Sequence, residues 1–319
     1  MYTPQDIQVF FFAHNRAEFL RQAVECYLHQ TARGAELVIL ANAPTDDVVQ
    51  VGREYEKKGV KLMLEPKPLN VYGCAQRCQE TASRAITVMA HDDDLVHPAY
   101  LETLLKAYNQ IPDLNVAISS MQDWDNAPFS PDYHTRCALL DECEFSAYIF
   151  LGGSFTYSSA SYKTQALRQA PRPDFARYGK VQDVPFMLGV CGVDNGKAAV
   201  LQYPFVKYRL HEGQDCQTFS TGPTAAQWLE LDNLHRELMC RGGSRLRRTW
   251  KLNTYHRLRI GWRDWCLCEH GKMTFSSYLA AARQKGLLPP LSRAAGLLLR
   301  GGLRKRILRR LFTPQIISL

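Results

Sequence analysis

Short apolar runs alternate with segments of helical periodicity along the first hundred residues. Buried strands are predicted at residues 7–13, 36–41, 60–64, 85–90 and 115–119, and helices at 46–58, 73–84 and 98–110. Strands that alternate with helices are typical of βαβ units. The pattern therefore predicts an α/β fold with a Rossmann-like, mostly parallel central sheet flanked by helices.

The helix after the first strand carries its own start signal. Asn15 stands three residues before Glu18, which is the spacing of a capping box, and Leu20, Val24 and Tyr27 then repeat at helical spacing. We therefore expect the first strand to lead directly into a helix that begins near Asn15.

The periodicity weakens in the second half of the chain. Aromatic, serine and glycine residues accumulate between residues 123 and 173, which predicts loops and antiparallel strands. A helix is predicted at 182–191, a returning strand pair broken by Pro204 at 198–210, and a helical tail from Ala225. We expect two domains: an α/β domain over residues 1–222 and a helical region over residues 223–319.

Charge is unevenly distributed along the chain. The total is 39 Lys+Arg against 31 Asp+Glu, a net charge of +8, but residues 241–319 alone hold 18 basic and two acidic residues. The first 240 residues are therefore mildly acidic, whereas the C-terminal region is strongly basic. This asymmetry predicts a polyanionic partner, for which membrane lipid and nucleic acid are both candidates.

The ten cysteines are scattered, and a chain of 319 residues needs no disulfide to build a core. Neither Cys74/Cys78 nor Cys266/Cys268 has a second Cys or His pair at structural-zinc spacing, so we expect reduced thiols in a cytoplasm. Apolar runs all fall short of the roughly 20 residues of a membrane-spanning helix, which predicts a soluble or peripheral protein.

A cluster of three carboxylates follows the strand predicted at residues 85–90, because Asp92, Asp93 and Asp94 come directly after His91. Adjacent carboxylates raise one another's pKa unless a positive charge lies among them, and Mg²⁺ or Mn²⁺ would supply one. In extended backbone, Asp92 and Asp94 would share one face and Asp93 the other. Ligands of open α/β sheets bind at the carboxyl ends of strands, so the cluster predicts a metal site; a solvated turn is the alternative.

Several motifs together resemble the family 2 glycosyltransferases of the GT-A fold, over roughly residues 7–211. They are similar to the family's "PTYNR" turn and "NQT" helix end, its "N.G...ARN" segment, its DxD region, its "ED" pair and its "YRxH" segment. In chain order they are Phe11-Phe12-Ala13-His14-Asn15-Arg16, Leu28-His29-Gln30-Thr31, Asn70-Val71-Tyr72-Gly73 with Arg77, His91-Asp92-Asp93-Asp94 with Pro98, Gln182-Asp183, and Tyr208-Arg209-Leu210-His211. Each piece is short, but their order and spacing favour the resemblance.

The resemblance implies a metal-dependent, inverting transfer of a sugar from a nucleotide-sugar, a UDP-sugar by default. The acceptor would be a hydroxyl of a glycan or lipid-linked saccharide in bacterial surface polysaccharide or lipopolysaccharide synthesis. Residues that could contact this acceptor are Asp123, Trp124, Asp125 and the turn at 152–154. Asp183 would be the general base, although without the resemblance we would interpret it as a helix N-cap.

The resemblance also implies how Mn²⁺ or Mg²⁺ would be held. Asp92 and Asp94 are the expected ligands, and His211 would complete the metal shell or contact a phosphate. His91 stands where many members of the family have their first aspartate. The alternative ligand set is therefore His91 with Asp93 and Asp94.

The donor-binding residues implied by the resemblance are Ala13, Asn15, Arg16, Asn42, Asn70, Gly73, Arg77, Asp92, Asp93 and Arg209. Asn42 follows the second strand, where the family usually carries acidic residues, so its amide is expected to hydrogen-bond the nucleotide base. Arg209 is expected either to pair with a phosphate through two nitrogens or to brace the carboxylates.

The C-terminal region predicts a membrane contact. Residues 303–312 form a short amphipathic pattern with apolar side chains on one side and basic ones on the other, typical of helices that lie on anionic membranes. A helix packed on the body is the alternative. The basic and aromatic segment at 245–265 could stack on nucleic acid or cover the α/β domain, and nucleic acid is the less favoured partner. We therefore expect a cytoplasmic protein, peripheral on the inner face of the cell membrane.

Two other functions stay open at this stage. One is a nucleotidyltransferase that makes a nucleotide-sugar, which usually needs a glycine-rich triphosphate loop that residues 13–16 do not provide. The other is a non-enzymatic module that binds membrane or nucleic acid through the basic region.

Overall fold

The computed structural model describes residues 1–65, 67–125, 127–151, 157–211, 225–242, 268, 274–284 and 314–319. Its strands are β1 (Ile7–Ala13), β2 (Glu36–Asn42), β3 (Lys61–Glu65), β4 (Ile86–His91), β5 (Leu95–Val96), β6 (Leu114–Asp123), β7 (Arg136–Leu140), β8 (Ala160–Lys163), β9 (Lys197–Tyr208) and β10 (Gln315–Ser318). Its helices are α1 (Ala17–Leu28), α2 (Asp46–Glu56), α3 (Val71–Thr81), α4 (Tyr100–Gln110), α5 (Glu142–Leu151), α6 (Thr164–Gln169), α7 (Phe175–Tyr178), α8 (Asp183–Gly192), α9 (Ala225–Arg241) and α10 (Phe275–Gln284).

The strands form one mixed sheet in the order β10-β7-β9-β6-β8-β4-β1-β2-β3, and β5 pairs with β9 beside it. β4, β1, β2 and β3 run parallel to one another, and β6 runs parallel to β9. β8, β7 and β10 run antiparallel to their neighbours. The prediction of an α/β fold with a mostly parallel sheet is therefore confirmed.

Apolar clusters cover both faces of the sheet, which explains the continuous apolar run of β1. Every residue of β1 is buried. Phe11 lies in one cluster with Val24 of α1, and Phe10 lies in the other with Phe186 of α8. A strand that is covered on both faces shows no alternation of apolar and polar residues, so it is recognised by its length and its flanking turns.

The first helix begins later than its sequence signal. α1 starts at Ala17, and Arg16 occupies the N-cap position with no side-chain cap. The capping box expected from Asn15 and Glu18 is therefore wrong. The turn is held instead by the side chain of Arg16, which reaches the carboxylates after β4.

Two elements of the second half also differ from the prediction. The expected strand pair at 198–210 is one long strand, β9, and the register with β6 shifts around the pair Ser120 and Pro204. Proline cannot donate to the ladder, and this irregularity accommodates it without ending the strand. Helix α5 lies in the segment where we expected loops and strands.

Parts of the C-terminal region pack on the α/β body. α9 contacts α5, α7 and α8, and β10 joins the sheet at the outer edge of β7, where a helical tail was expected. The amphipathic pattern at 303–312 and the whole of the segment at 245–265 lie outside the described residues. The boundary at residues 222/223 stays a prediction. Within the described residues, no helix has the length and apolar character needed to span a membrane.

Candidate active site

The site forms where the carboxyl ends of β1, β2 and β4 meet at one edge of the sheet. His91 is the last residue of β4, and the backbone turns immediately after it, so Asp92, Asp93 and Asp94 do not continue the strand. The alternation expected for these carboxylates holds only in extended backbone, and the prediction that Asp92 and Asp94 share a strand face is therefore wrong. All three carboxylates are buried.

Three side chains come close enough to share one cation. His91, Asp93 and Asp94 each offer a ligand atom within 4.8 Å of the other two. His91 Nδ1 lies 3.7 Å from Asp94 Oδ2. This grouping corresponds to the second of the two ligand sets expected from the sequence. It leaves Asp92, which is fully buried, to pair with Arg16.

Arg16 supplies positive charge to the carboxylates from the side of α1. Its guanidinium forms an ion pair with Asp92, and its Nη1 lies 2.5 Å from Asp93 Oδ2. His211 Nε2 lies 3.0 Å from the same Asp93 oxygen and 3.0 Å from Arg16 Nη1. The structure therefore joins His211 to the cluster through Asp93.

Arg209 braces the cluster through its backbone and side chain. Its backbone N–H donates to Asp94 Oδ1 at 3.1 Å, and its Nε donates to the carbonyl oxygen of Asp93 at 2.9 Å. The guanidinium lies between two aromatic rings, 4.3 Å from the ring centre of Phe19 and 3.7 Å from that of Trp124. These contacts match the bracing role, and the phosphate-pairing role that the sequence left open stays a prediction.

Burial dominates the protonation chemistry of the cluster. Burial raises the pKa of Asp92 to about 6 and also raises the pKa of Asp94. Burial acts on Asp93 in the same direction, but the neighbouring His91 and Arg16 outweigh it and lower the pKa of Asp93.

A buried carboxylate oxygen of this group has no hydrogen-bond partner. This atom is Asp94 Oδ2, which lies 3.7 Å from His91 Nδ1. Buried polar atoms are nearly always paired in folded proteins, so an unpaired oxygen at this place fits a cation site. Two carboxylates and one imidazole suit Mn²⁺ and are compatible with Mg²⁺. His91, Asp93 and Asp94 therefore fit a divalent metal ion.

Asp183 is the first residue of α8 and is only partly exposed. Its Oδ1 accepts the backbone N–H of Val184 at 2.9 Å, and Gln182 occupies the N-cap position. Burial raises the pKa of Asp183 to about 7, and the hydrogen bond from the Val184 N–H acts in the opposite direction. A carboxyl group with this pKa can take up a proton near neutral pH.

Asn42 and its surroundings form a second group, at the carboxyl end of β2. Both atoms of the Asn42 amide are engaged by the backbone of Leu69: Nδ2 donates to the Leu69 carbonyl and Oδ1 accepts its N–H, each at 2.7 Å. The carbonyl oxygen of Asn42 lies 2.7 Å from His14 Nδ1. In this structure Asn42 therefore fixes the loop that leads into α3.

The remaining expected donor residues surround the start of α3 or line β1. Asn70 caps α3 by accepting the N–H of Gly73 at 2.8 Å, and Arg77 Nε lies 3.2 Å from Glu65 of β3. A Cβ added to Gly73 would lie 3.0 Å from Cβ of Leu69, which explains why a glycine fits there. Ala13 ends β1 and is fully buried, whereas Asn15 is exposed beside it.

Phe19 and Gln22 were missed by the sequence reasoning. Gln22 Oε1 accepts from Arg209 Nη2 at 2.7 Å, next to the Phe19 ring. Phe19 and Gln22 follow Arg16 at successive intervals of three residues, which places them on one face of α1. This spacing is a sequence signal that could have identified them. Trp124, which was expected to contact an acceptor, packs its ring on Arg209, and the acceptor contact stays a prediction. The expected turn at 152–154 lies outside the described residues.

Comparisons with known proteins agree with this fold. The sequence model of the family described as "Glycosyl transferase family 2" matches residues 9–169, half of the chain. No curated protein matches the sequence. Among solved structures, S. aureus TarS 1–349 in complex with UDP-GlcNAc is similar at 12% identity with a TM-score of 0.59, covering 92% of this chain and 91% of that one. Mannosyltransferase PcManGT from Pyrobaculum calidifontis, in complex with GDP-Man and Mn²⁺, is similar at 16% identity with a TM-score of 0.55, covering 96% and 85%.

Proposed function

Because this chain belongs to the family 2 glycosyltransferases, we propose that it transfers a sugar from a nucleotide-sugar to an acceptor hydroxyl with a divalent cation as cofactor. The observation that carries this proposal is the grouping of His91, Asp93 and Asp94 at the edge of the sheet where such folds bind their ligands. Family membership decides against the nucleotidyltransferase and the non-enzymatic module.

The cation would be Mn²⁺ or Mg²⁺, held by His91, Asp93 and Asp94. When bound, such an ion supplies positive charge to the departing nucleoside diphosphate. Asp92 and His211, expected as ligands from the sequence, are proposed to act from outside this set, because Asp92 pairs with Arg16 and His211 contacts Asp93. Groups that contact metal ligands in this way tune the affinity for the ion. The Mn²⁺ in the similar structure of PcManGT supports a cation here.

Asp183 is the proposed general base. Its Oδ1 is held by the N–H of Val184, which leaves Oδ2 to take the proton of the attacking hydroxyl. With a pKa of about 7, the carboxylate is a stronger base than an ordinary aspartate while still ionised at and above neutral pH. Attack by the acceptor from the side opposite the leaving diphosphate would invert the configuration of the anomeric carbon.

The donor is proposed to be a UDP-sugar. The similar TarS structure binds UDP-GlcNAc and PcManGT binds GDP-Man, and both support a nucleotide-sugar donor here. The acceptor is proposed to be a glycan or lipid-linked saccharide of a bacterial surface polysaccharide, made at the cytoplasmic face of the membrane. Residues 303–312 support the location through their basic, amphipathic sequence.

Thermal stability in the presence of nucleotides tests the donor site. The wild type and Asp94→Ala are heated with UDP, GDP, dTDP or CMP, each with Mn²⁺ and with EDTA. A ligand at about 100 times its Kd stabilises the native state by about 2.7 kcal/mol. We expect a Mn²⁺-dependent rise in melting temperature with UDP, and no such rise in Asp94→Ala.

Asp113→Ala is the matched control, because Asp113 is an exposed carboxylate paired with Lys197 before the start of β6, at the other edge of the sheet. This variant should behave like the wild type. Equal shifts with EDTA and Mn²⁺, or a full shift in Asp94→Ala, would contradict a cation at the cluster. The nucleotide that gives the largest shift then identifies the radiolabelled nucleotide-sugar for a transfer assay.

Vesicle sedimentation tests the membrane proposal separately. The full chain should pellet with vesicles that contain anionic phospholipid and stay in solution with neutral phosphatidylcholine vesicles. Replacing Arg306, Arg309 and Arg310 together by glutamine should release the chain from anionic vesicles, since each cation near the surface contributes about 1 kcal/mol. Unchanged sedimentation of this variant would contradict a role for residues 303–312.

A further inference from the structure

Arg16 shares one carboxylate, Asp93, with the group of side chains proposed to hold the cation. Its two terminal nitrogens reach two different carboxylates, Asp92 and Asp93. Asp93 Oδ2 lies 2.5 Å from Arg16 Nη1 and 3.0 Å from His211 Nε2. One oxygen of a proposed metal ligand is therefore already engaged by two nitrogen atoms.

This engagement opposes the binding of a metal ion to Asp93. The lone pair of Asp93 Oδ2 that accepts from Arg16 is not available to a cation, which leaves Oδ1 and the other lone pair of Oδ2. The guanidinium is also always charged, so it repels any divalent cation that approaches the same oxygen in this poorly solvated place. Arg16 and the cation therefore compete for Asp93.

Arg16 is able to move away from the cluster, whereas Asp92 is not. The Arg16 side chain is 31% exposed, while the Asp92 side chain is fully buried. Arg16 Nε has no hydrogen-bond partner, so fewer bonds hold the guanidinium than it could form. Arg16 also lies between β1 and α1, at the edge of the sheet where the proposed diphosphate would bind. A guanidinium pairs with phosphate oxygens through two parallel hydrogen bonds.

We propose that Arg16 is a positioning residue that exchanges partners when the donor binds. Without the donor, it neutralises Asp92 and Asp93 and weakens the binding of the cation. With the donor, it releases Asp93 to the cation and turns to the diphosphate. The cation and the nucleotide then bind cooperatively, and Arg16 contributes part of the coupling between them. This inference rests on the proposed function.

Binding of Mn²⁺ to the full chain tests the exchange without any measurement of activity. Free Mn²⁺ gives an electron paramagnetic resonance signal that is lost on binding, so the signal reports the Kd of Mn²⁺. This Kd is measured with and without UDP, in the wild type and in Arg16→Gln, at one fixed pH. We expect Arg16→Gln to bind Mn²⁺ at least about tenfold more tightly than the wild type without UDP. We also divide the Mn²⁺ Kd without UDP by the Mn²⁺ Kd with UDP. This ratio should be at least about tenfold smaller in Arg16→Gln than in the wild type, which corresponds to a loss of about 1.4 kcal/mol of coupling.

Arg21→Gln is the matched control, because Arg21 lies on α1 and pairs with Glu54 of α2. It should leave both Kd values unchanged. Arg16→Gln leaves the buried carboxylate of Asp92 without its ion pair, so circular dichroism must show that it folds. Arg16→Lys is the second variant: it keeps one positive charge but cannot bridge two carboxylates, and it should show the same changes to a smaller extent.

Several results would overturn the exchange. Mn²⁺ binding to Arg16→Gln or Arg16→Lys that is equal to or weaker than wild type without UDP would show that Arg16 does not compete with the cation. An unchanged coupling ratio would show that Arg16 does not turn to the nucleotide. If the wild type binds neither Mn²⁺ nor UDP, the proposed function fails as well, which distinguishes the two failures.

Discussion

Replacing Asp183 by asparagine should reduce catalysis and raise stability at the same time. The change removes the proton acceptor while keeping the oxygen that accepts the N–H of Val184. Loss of a general base typically reduces the rate by about 10²–10⁴-fold. In the wild type, the rate should rise about tenfold per pH unit up to the pKa of about 7 and level off above it.

The stability effect follows from the same pKa. Burial raises the pKa of Asp183 from 3.8 to about 7, so the folded protein favours the protonated carboxyl. The protonated carboxyl of Asp183 therefore makes its full contribution to stability below the unfolded pKa, and this contribution is lost as the pH rises from about 4 through about 7. A shift of roughly three units corresponds to roughly 4 kcal/mol. Asparagine has no charge to bury, so the variant should melt several degrees above the wild type at about pH 8, and this difference should vanish by about pH 4.

Melting curves in EDTA without nucleotide measure the stability effect, and initial rates of sugar transfer measure the catalytic one. Asp174→Asn is the control: Asp174 is an exposed N-cap of α7, and asparagine caps helices equally well, so neither quantity should change. A structural carboxylate would move rate and stability in the same direction. A wild-type rate independent of pH below 7, or equal melting temperatures at about pH 8, would refute the reasoning.

Three further predictions concern the scaffold, and denaturant unfolding checks each of them. Ile317→Asp should destabilise the protein by about 2 kcal/mol, because this side chain of β10 packs on the core. Ile316→Asp, on the exposed side of the same strand, should change stability by less than about 0.5 kcal/mol. Equal effects of the two variants would contradict the register of β10. His97→Phe should destabilise the protein by about 2–4 kcal/mol, because the buried imidazole bonds a backbone carbonyl and a backbone N–H that phenylalanine would leave unpaired. Unchanged stability would show that packing against the surrounding aromatic rings is enough to hold this position. Asn70→Ala should destabilise by about 1 kcal/mol through loss of the α3 cap, and Asn70→Asp should restore it; a loss in both variants would mean that the cap is not the cause.

The parallel half of the sheet could be predicted because its strands are apolar on both faces. β1 has the predicted bounds, and β2 extends one residue beyond them. The position of the carboxylate cluster followed from the same pattern, since three aspartates directly after a buried strand must lie at its carboxyl end. The general place of the site therefore required only the order of strands and helices.

The partners within the site could not be predicted. Whether Asp92 or Asp93 faces a cation depends on where the strand ends, and His91 ends it one residue before the cluster. The ion pairs of Arg16 span 76 and 77 residues of sequence and depend on how α1 approaches β4. Local periodicity contains no information on such distant contacts.

Helix α5 and strand β10 escaped prediction for two different reasons. α5 carries apolar residues on several sides, among them the buried Phe145, Ala147 and Phe150, so it lacks the single apolar stripe by which a surface helix is recognised. β10 spans only Gln315–Ser318, and it becomes a strand because β7 offers a free edge. Its pairing is a tertiary effect that a window of sequence does not reveal.

The pairing of β10 with β7 has a consequence during protein synthesis. Thr135, just before β7, bonds Leu319, which follows 184 residues later. At about 5–20 residues per second, a ribosome needs roughly ten to forty seconds to make that stretch. During this interval the outer edge of β7 has unpaired backbone groups, which can recruit strands from other nascent chains. The edge of β7 thus stays open until the last residues of β10 are made, and β10 then replaces it with a shorter edge strand of four residues.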